Sequence, residues 1–464
     1  MKITVTDQKA GQKNCVEVRL NEKIAQTRFV VEAKKDVMEI KAPKAKEMNR
    51  RKWILFVRLI IQEAQKNKVK KLVIKWKDLV AFDDLDDHCE QLFAENAFMT
   101  EYQFRTYKKK PKEGWSDLEE IVIVAGLNDI AGVRSGIRKG SIIARQINFC
   151  RDLANTPGGD MTPEILVRET AKAVRGTGIR MHVLDETQMR AKKMGGVLAV
   201  GQGSAAKSQF IILEYKGATN KKMKPAVLVG KGVTFDTGGI DTKPHPYGLE
   251  MMMDMSGGAA VISTIIAAAK LKLKKNIIVL VPAVENMPGG SAFRPGDIVR
   301  MMDGTTVEVG HTDAEGRLIL ADALTFAKQY DPKYVIDVAT LTGAAMVALG
   351  ERASAIFTDD DKLAEKVETL GEESGDYVWR LPLWEEYSAE IVGSHGDISN
   401  IRTKGQPGYG GAITAAAFLK HFAKKYKSWM HIDMAPAMTA TYDERLAKGA
   451  KGTPVRLLVR LLEK

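Results

Sequence analysis

Three segments of the chain gather acids, lysines and glycines at spacings that suit a metal or anion site. The first, VGKGVTFDTGGIDTKP from Val229, sets Lys231, Asp236 and Lys243 among four glycines at the end of an apolar run. Glycine lets backbone approach a ligand closely. Taken alone the pattern is weak, because a glycine-rich turn with charges is more often a plain loop. The phosphate-cradling G-x-x-x-x-G-K-[ST] is absent. The second segment, MMMDMSGGAA, places Asp254 between apolar residues just before a helical run. Such an acid is either a helix N-terminal residue stabilised by the helix dipole or a ligand, and in isolation the first reading fits better. The third, EVGHTDAEGRLILADAL, carries His311, Asp313, Glu315 and Arg317 through a strand-to-helix turn. Two acids two residues apart can aim at one point there, and the Arg317 fork can hold a carboxylate-like anion. An acidic first helical turn accounts for the same two acids.

Together the segments say more than each does alone. Asp236, Asp254, Asp313 and Glu315 are four acids at element boundaries, each close to glycine. Carboxylates bind hard divalent cations, and shared carboxylates bridge two of them. Two ions about 3.5–4 Å apart clamp the attacking and leaving oxygens of a hydrolysis. The chain has no H-E-x-x-H and no cluster among its seven histidines, which argues against a thermolysin-like zinc site. It also lacks the G-x-S-x-G elbow of a serine hydrolase.

These residues need a scaffold. Phe210–Tyr215, Ala226–Val229, Ile277–Val284, Tyr334–Val338 and Trp429–Met434 are strand-like apolar runs. They alternate with helical stretches over Gly257–Leu273, Glu315–Gln329 and Ile413–Tyr426. Alternation of this kind predicts a mostly parallel sheet flanked by helices, with the site at the carboxyl ends of the strands. Residues 1–132 read as a smaller N-terminal α/β domain, with β-like runs Phe29–Val31, Leu72–Lys75 and Ile121–Val124 around a helical pattern over Arg50–Lys66. An apolar-striped helix predicted over Val133–Ala154, followed by the breaker NTPGGDMTPE, makes residues 133–155 a linker helix before a catalytic domain over 156–464. The acids Asp83, Asp84, Asp86 and Asp87 lack the glycine and glutamate spacing of a calcium loop and read as solvated.

Composition is that of an ordinary soluble globular protein, with 45% apolar and 28% charged residues in 464. The N-terminus has no signal-peptide core, and the most apolar stretch, Ala259–Ala269, is about half of the ~20 residues that span a bilayer. Cys15, Cys89 and Cys150 are odd in number and far apart, which fits a reducing cytoplasm rather than a disulfide framework. The net charge of +12 permits attraction to nucleic acid, though short scattered lysine runs fit a solvated surface better.

The three segments resemble the leucyl (cytosol) aminopeptidase family. Its signature N-T-D-A-E-G-R-L stands here as HTDAEGRL, and the spacing agrees from Lys231 through Asp236, Lys243 and Asp254 to Asp313, Glu315 and Arg317. DVATLTGA at Asp337, GYGGAITAAAFL at Gly408 and HIDMA at His431 agree as well, so the resemblance spans about residues 140 to 464. It implies a metal-dependent aminopeptidase with two divalent ions, zinc or manganese first and magnesium or cobalt as alternatives, and a water bridging them as nucleophile. By the same resemblance Lys231, Asp236, Asp254 and Glu315 hold the tighter ion. Asp236, Asp313 and Glu315 hold the exchangeable one. Lys243 stabilises the oxyanion, and Arg317 binds a bicarbonate that acts as general base. Met251, Thr340, Gly343, Ala435 and Met438 form the pocket for an apolar first side chain, leucine above all. The substrates are peptides and the assembly a homo-hexamer; some members also bind DNA, and none of this points to a membrane. Two positions depart from the family: His311 replaces the signature asparagine, and Pro436 replaces the usual glycine. His311 can donate the same hydrogen bond, compete for a metal, or gain a proton near about pH 6.

Overall fold

The computed structural model describes residues 1–7, 15–32, 35–82, 88–220, 222–406 and 408–464, so the acids at 83–87 lie outside the described residues. The chain divides into two compact units, one of residues 1–148 with 440–448, the other of residues 149–439 with 449–464.

Among the described residues the first unit holds a sheet ordered β1-β6-β5-β2-β4-β3. Its strands are β1 (Lys2–Thr6), β2 (Val16–Asn21), β3 (Arg28–Glu32), β4 (Lys35–Lys41), β5 (Lys71–Lys75) and β6 (Glu120–Val124). Every neighbouring pair is parallel except the edge pair β3–β4. The helix Arg50–Lys66 starts at Asn49, whose side chain accepts from Lys52 N. It buries Trp53, Phe56, Val57, Ile60 and Ile61, and packs against the helix Cys89–Glu101. The long helix Ile130–Asn155 begins in this unit and ends in the second.

The second unit carries β7 (Arg180–Leu184), β8 (Gln209–Lys216), β9 (Ala226–Gly230), β10 (Gly232–Asp236), β11 (Asn276–Asn286), β12 (Ile298–Arg300), β13 (Thr306–Glu308), β14 (Tyr334–Ala339), β15 (Ser354–Phe357), β16 (Val378–Arg380), β17 (Ile398–Ser399) and β18 (Trp429–Asp433). Its main sheet runs β16-β15-β18-β14-β9-β11-β8-β7, with β10 also on β11. The middle is parallel, from β18 through β14 and β9 to β11. The flanks turn antiparallel at β15–β18 and at β11–β8–β7. All five residues of β9 and of β18 are buried, as expected where helices cover both faces of a parallel sheet. The polar members of β18 have partners: Asp337 on β14 pairs with His431 and accepts from Trp429 Nε1. A separate small sheet orders β12-β13-β17.

The Ser256–Lys270 helix packs on β9, β11 and β14, and only small residues allow its approach. A Cβ on Gly257 would stand 2.1 Å from Val338 O. With the turn before it, the run Met251–Lys270 has the length and apolarity of a membrane span, but 89% of its most apolar 18-residue stretch is buried, which is the setting of a core helix.

Candidate active site

Parallel strands deliver their carboxyl ends to one edge of the sheet, and the chemically interesting residues are there. Lys231 follows β9, Asp236 and Asn286 end β10 and β11 side by side in register, Thr340 follows β14, and Asp433 ends β18. Asp254 sits between the Met251–Met253 turn and the Ser256–Lys270 helix without capping it. Thr340 Oγ1 donates to Asp254 Oδ1 at 2.7 Å, which points this acid inward. Glu315 occupies the N-cap position of the Gly316–Ala327 helix, where its backbone oxygen accepts from Leu318 N.

The four acids and two lysines meet. Oxygens of Asp236, Asp313 and Glu315 all lie within 4.8 Å of one another. Lys231 Nζ is 2.8 Å from Asp254 Oδ2 and 2.8 Å from Glu315 Oε1, and donates to Thr340 O at 3.0 Å. Lys243 Nζ is 2.8 Å from Asp236 Oδ2 and hydrogen-bonds Asp313 Oδ1. Its side chain is only 15% exposed, so it is not a solvated surface lysine. Lys231 reaches its partners across Gly316, where a Cβ would stand 2.6 Å from the lysine Cε. That contact explains a glycine inside the first helical turn.

Charge in this cluster is unbalanced: four carboxylates face two ammoniums. Burial, and then Asp236 and Glu315, push the Asp313 carboxyl up to about 7 against the pull of Lys243. Burial raises Asp254 well above the carboxylate range, although Lys231 opposes it. Burial works against charge on both lysines, but the carboxylates outweigh it and hold each above its ordinary value.

Arg317 lies just inside the helix, and burial lowers it to about 10, still protonated at neutral pH. Its Nη1 donates to Asn400 O at 2.5 Å, while its buried Nε has no hydrogen-bond partner among the described residues. Asn400 clamps the turn that carries Asp313. Its Oδ1 accepts from Gly310 N and His311 N, and its Nδ2 donates to His311 O and Ala314 O. Asp241 holds the same turn from the other side by accepting from Thr312 N at 2.8 Å. His311 folds back so that Nδ1 accepts from Asp313 N at 3.1 Å. An asparagine oxygen at this position would make the same two-residue turn. The substitution therefore keeps the local shape.

Of the expected pocket residues, Thr340 joins the acid cluster directly. Met251 opens the turn that ends at Asp254, and that turn packs on β10. Gly343 starts the Gly343–Leu349 helix, which touches the Ala435–Ala437 turn preceding Met438. Ala435 and Met438 are buried, and nothing lies within 4 Å of a Cβ placed on Gly343. Pro436 sits at the start of its short 3-10 turn, where a proline ring fits. A hollow lined by Asp359, Leu383, Trp384, Glu385, Glu386 and Lys420 shares no residue with the acids.

Sequence reasoning passed over Asn286, Asn400, Asp241 and Asp433. Asp433, raised by burial, accepts from Leu341 N and Thr342 Oγ1 and so shapes the loop that presents Thr340. The DVATLTGA and HIDMA strings meet in that contact, which is the signal that would have revealed it.

Known proteins resemble this chain in sequence and in fold. The catalytic-domain description of the cytosol aminopeptidase family matches residues 148–459. A probable cytosol aminopeptidase of Chlorobaculum tepidum is 46% identical over 360 residues, 77% of this chain and 69% of that one. One from Syntrophotalea carbinolica is 43% identical over 80% of this chain and 74% of its own. The bottromycin maturation enzyme BotP, solved in complex with Mn, superposes with a TM-score of 0.86 over 97% of this chain and 99% of its own, at 29% identity. A match that begins at the division between the two units and contains all four acids leaves one assignment: this chain belongs to the cytosol aminopeptidase family of metal-dependent exopeptidases.

Proposed function

We propose that the chain removes amino-terminal residues, leucine or another apolar residue first among them, at a centre of two divalent ions held by the acid cluster. The observation that carries this is the charge deficit: four converging carboxylates with two ammoniums already drawn between them. The ammoniums stand in for cations, and a donor set of carboxylate oxygens with one amine suits hard or borderline divalent metals. Lys231, Asp236, Asp254 and Glu315 would hold the tighter ion, and Asp236, Asp313 and Glu315 the more exchangeable one. Zinc or manganese is the first choice, with magnesium and cobalt as alternatives; BotP, a similar protein, was solved with Mn. When bound, the ions supply Lewis acidity and an activated water at neutral pH.

The chain's own residues do the rest. Lys231 would serve as a ligand through its neutral amine, the form that adjacent cations favour. Lys243 stays protonated and donates to the oxygen that gains charge as the peptide carbonyl is attacked. Arg317, with its Nε–H uncommitted among the described residues, suits a small planar anion, and bicarbonate there would take the proton of the attacking water. Met251, Thr340, Gly343, Ala435 and Met438 receive the first side chain, and the two methionines adapt to its shape. All of these residues lie in 156–464, read as the catalytic domain after a linker helix over 133–155, with 440–448 belonging to the first compact unit; the N-terminal domain over 1–132 holds none of them. We place the enzyme in the cytoplasm as a homo-hexamer, to be checked by light scattering at six times the 51.1 kDa chain mass.

A panel of chromogenic substrates tests the reading. Leucyl p-nitroanilide should be cleaved, its N-acetyl derivative should not, and a phosphate monoester should be left intact. Efficient cleavage of the acetylated substrate would refute an exopeptidase, and cleavage of the phosphate ester alone would point to a phosphoesterase.

A further inference from the structure

Asn286 ends β11 and is fully buried beside the acid cluster. Its Nδ2 donates to Asp236 Oδ1 at 2.8 Å and to Thr312 O at 3.1 Å. Both acceptors are oxygens, so turning the amide over would set Oδ1 against two other oxygens. The orientation is therefore settled by chemistry. The price is Asn286 Oδ1, buried without a hydrogen-bond partner among the described residues. An apolar side chain would avoid that, but only a nitrogen with two hydrogens serves both acceptors, since a hydroxyl has one.

The consequence falls on Asp236. Its Oδ1 also accepts from Gly238 N at 2.9 Å. Two donors occupy the two lone-pair directions of Oδ1. Oδ2, 2.8 Å from Lys243 Nζ, is left to face the cation side. Thr312 immediately precedes Asp313, so the same amide also links the Asp236 carboxylate to the backbone that carries Asp313.

We infer that Asn286 is a positioning residue of the metal centre: it commits Asp236 to the ions through Oδ2 alone and sets the spacing between Asp236 and Asp313. This rests on the reading of the cluster as a metal site. Outer hydrogen bonds of this kind change metal affinity by roughly 10–100-fold.

The test is a titration of Mn²⁺ into the chelator-stripped full-length protein, read by competition with a chromophoric chelator. It compares wild type, Asn286→Ser, Asn286→Leu and Asp236→Asn. Affinity for at least one ion is expected to fall from wild type to Ser to Leu, by about 10–100-fold for Leu. The thermal midpoints of the metal-free forms are measured alongside, and a plain packing defect would move these without moving affinity. If Asn286→Leu fails to fold, the comparison of wild type with Asn286→Ser carries the test. Wild-type affinity in both Asn286 variants, with binding lost in Asp236→Asn, overturns the positioning role and leaves the metal site standing. Wild-type affinity in Asp236→Asn overturns the metal reading, and the positioning role falls with it.

Discussion

Lys243 bridges Asp236 and Asp313 while keeping part of its side chain in contact with solvent, a setting suited to a donor that meets substrate. Lys243→Ala should leave metal content near normal and lower kcat by about 10²–10³, the usual loss for one oxyanion donor. An unchanged turnover number would reduce it to a counter-ion. The acids and lysines around it were legible in the sequence because each lies in a short string with fixed spacing, as in HTDAEGRL. The residues that orient them were not. Asn286 and Asn400 are single amides standing 50 and 89 positions from the Asp236 and His311 groups they hold. Their importance comes from where strands end, which no local pattern records. The fit of His311 was also hidden, because it depends on a ring nitrogen taking the place of an amide oxygen in a turn.

At the scale of elements, the Gly316–Ala327 helix does more than carry Glu315 and Arg317. Asp322, one of its fully buried residues, accepts from Val197 N at 3.0 Å and Met302 N at 2.8 Å, tying two neighbouring segments to the helix. Burial pushes its carboxyl up to about 7, against those hydrogen bonds. The folded protein thus binds this proton more tightly than the unfolded chain, so the contribution to stability is present at low pH and is lost as pH rises from about 4 to about 7. The full effect is up to about 4 kcal/mol. Asp322→Asn cannot ionise, so its urea midpoint should gain on the wild type's between pH 5 and pH 8. A constant gap would show that Asp322 is already ionised in the folded protein across that range. Elements with a strong apolar rhythm were legible, and helix Arg50–Lys66 and strands β9 and β14 fall where the pattern puts them. The antiparallel direction of β8 and β15 was not, since an apolar run carries no sense of direction. Strands β12 and β17, three and two residues long, are too short to show any period, yet β17 is what brings Asn400 to the site.

For the whole molecule, ion binding and folding are linked. Ions that bind only the folded chain stabilise it by about 2.7 kcal/mol at a hundred times their dissociation constant. Stripping the ions with a chelator should lower the thermal midpoint, and adding back Mn²⁺ should restore it in proportion to the logarithm of its concentration. A midpoint indifferent to chelator and metal would mean that no ion is bound in the native state.

The return of residues 440–448 to the first unit has a consequence for how this protein can be divided or recombined. Those nine residues lie inside the stretch that matches the family's catalytic domain, yet they complete the other unit. There Arg58 Nη1 donates to Glu444 O at 2.8 Å and Arg445 Nη1 donates to Gln62 Oε1 at 3.0 Å. The backbone passes between the units at three joints, so the N-terminal unit is not a cassette that one cut can release. A chimaera that grafts a foreign segment in place of residues 1–148 inherits a 440–448 loop shaped for a partner it has lost. Exchange in this architecture has to move both pieces at once.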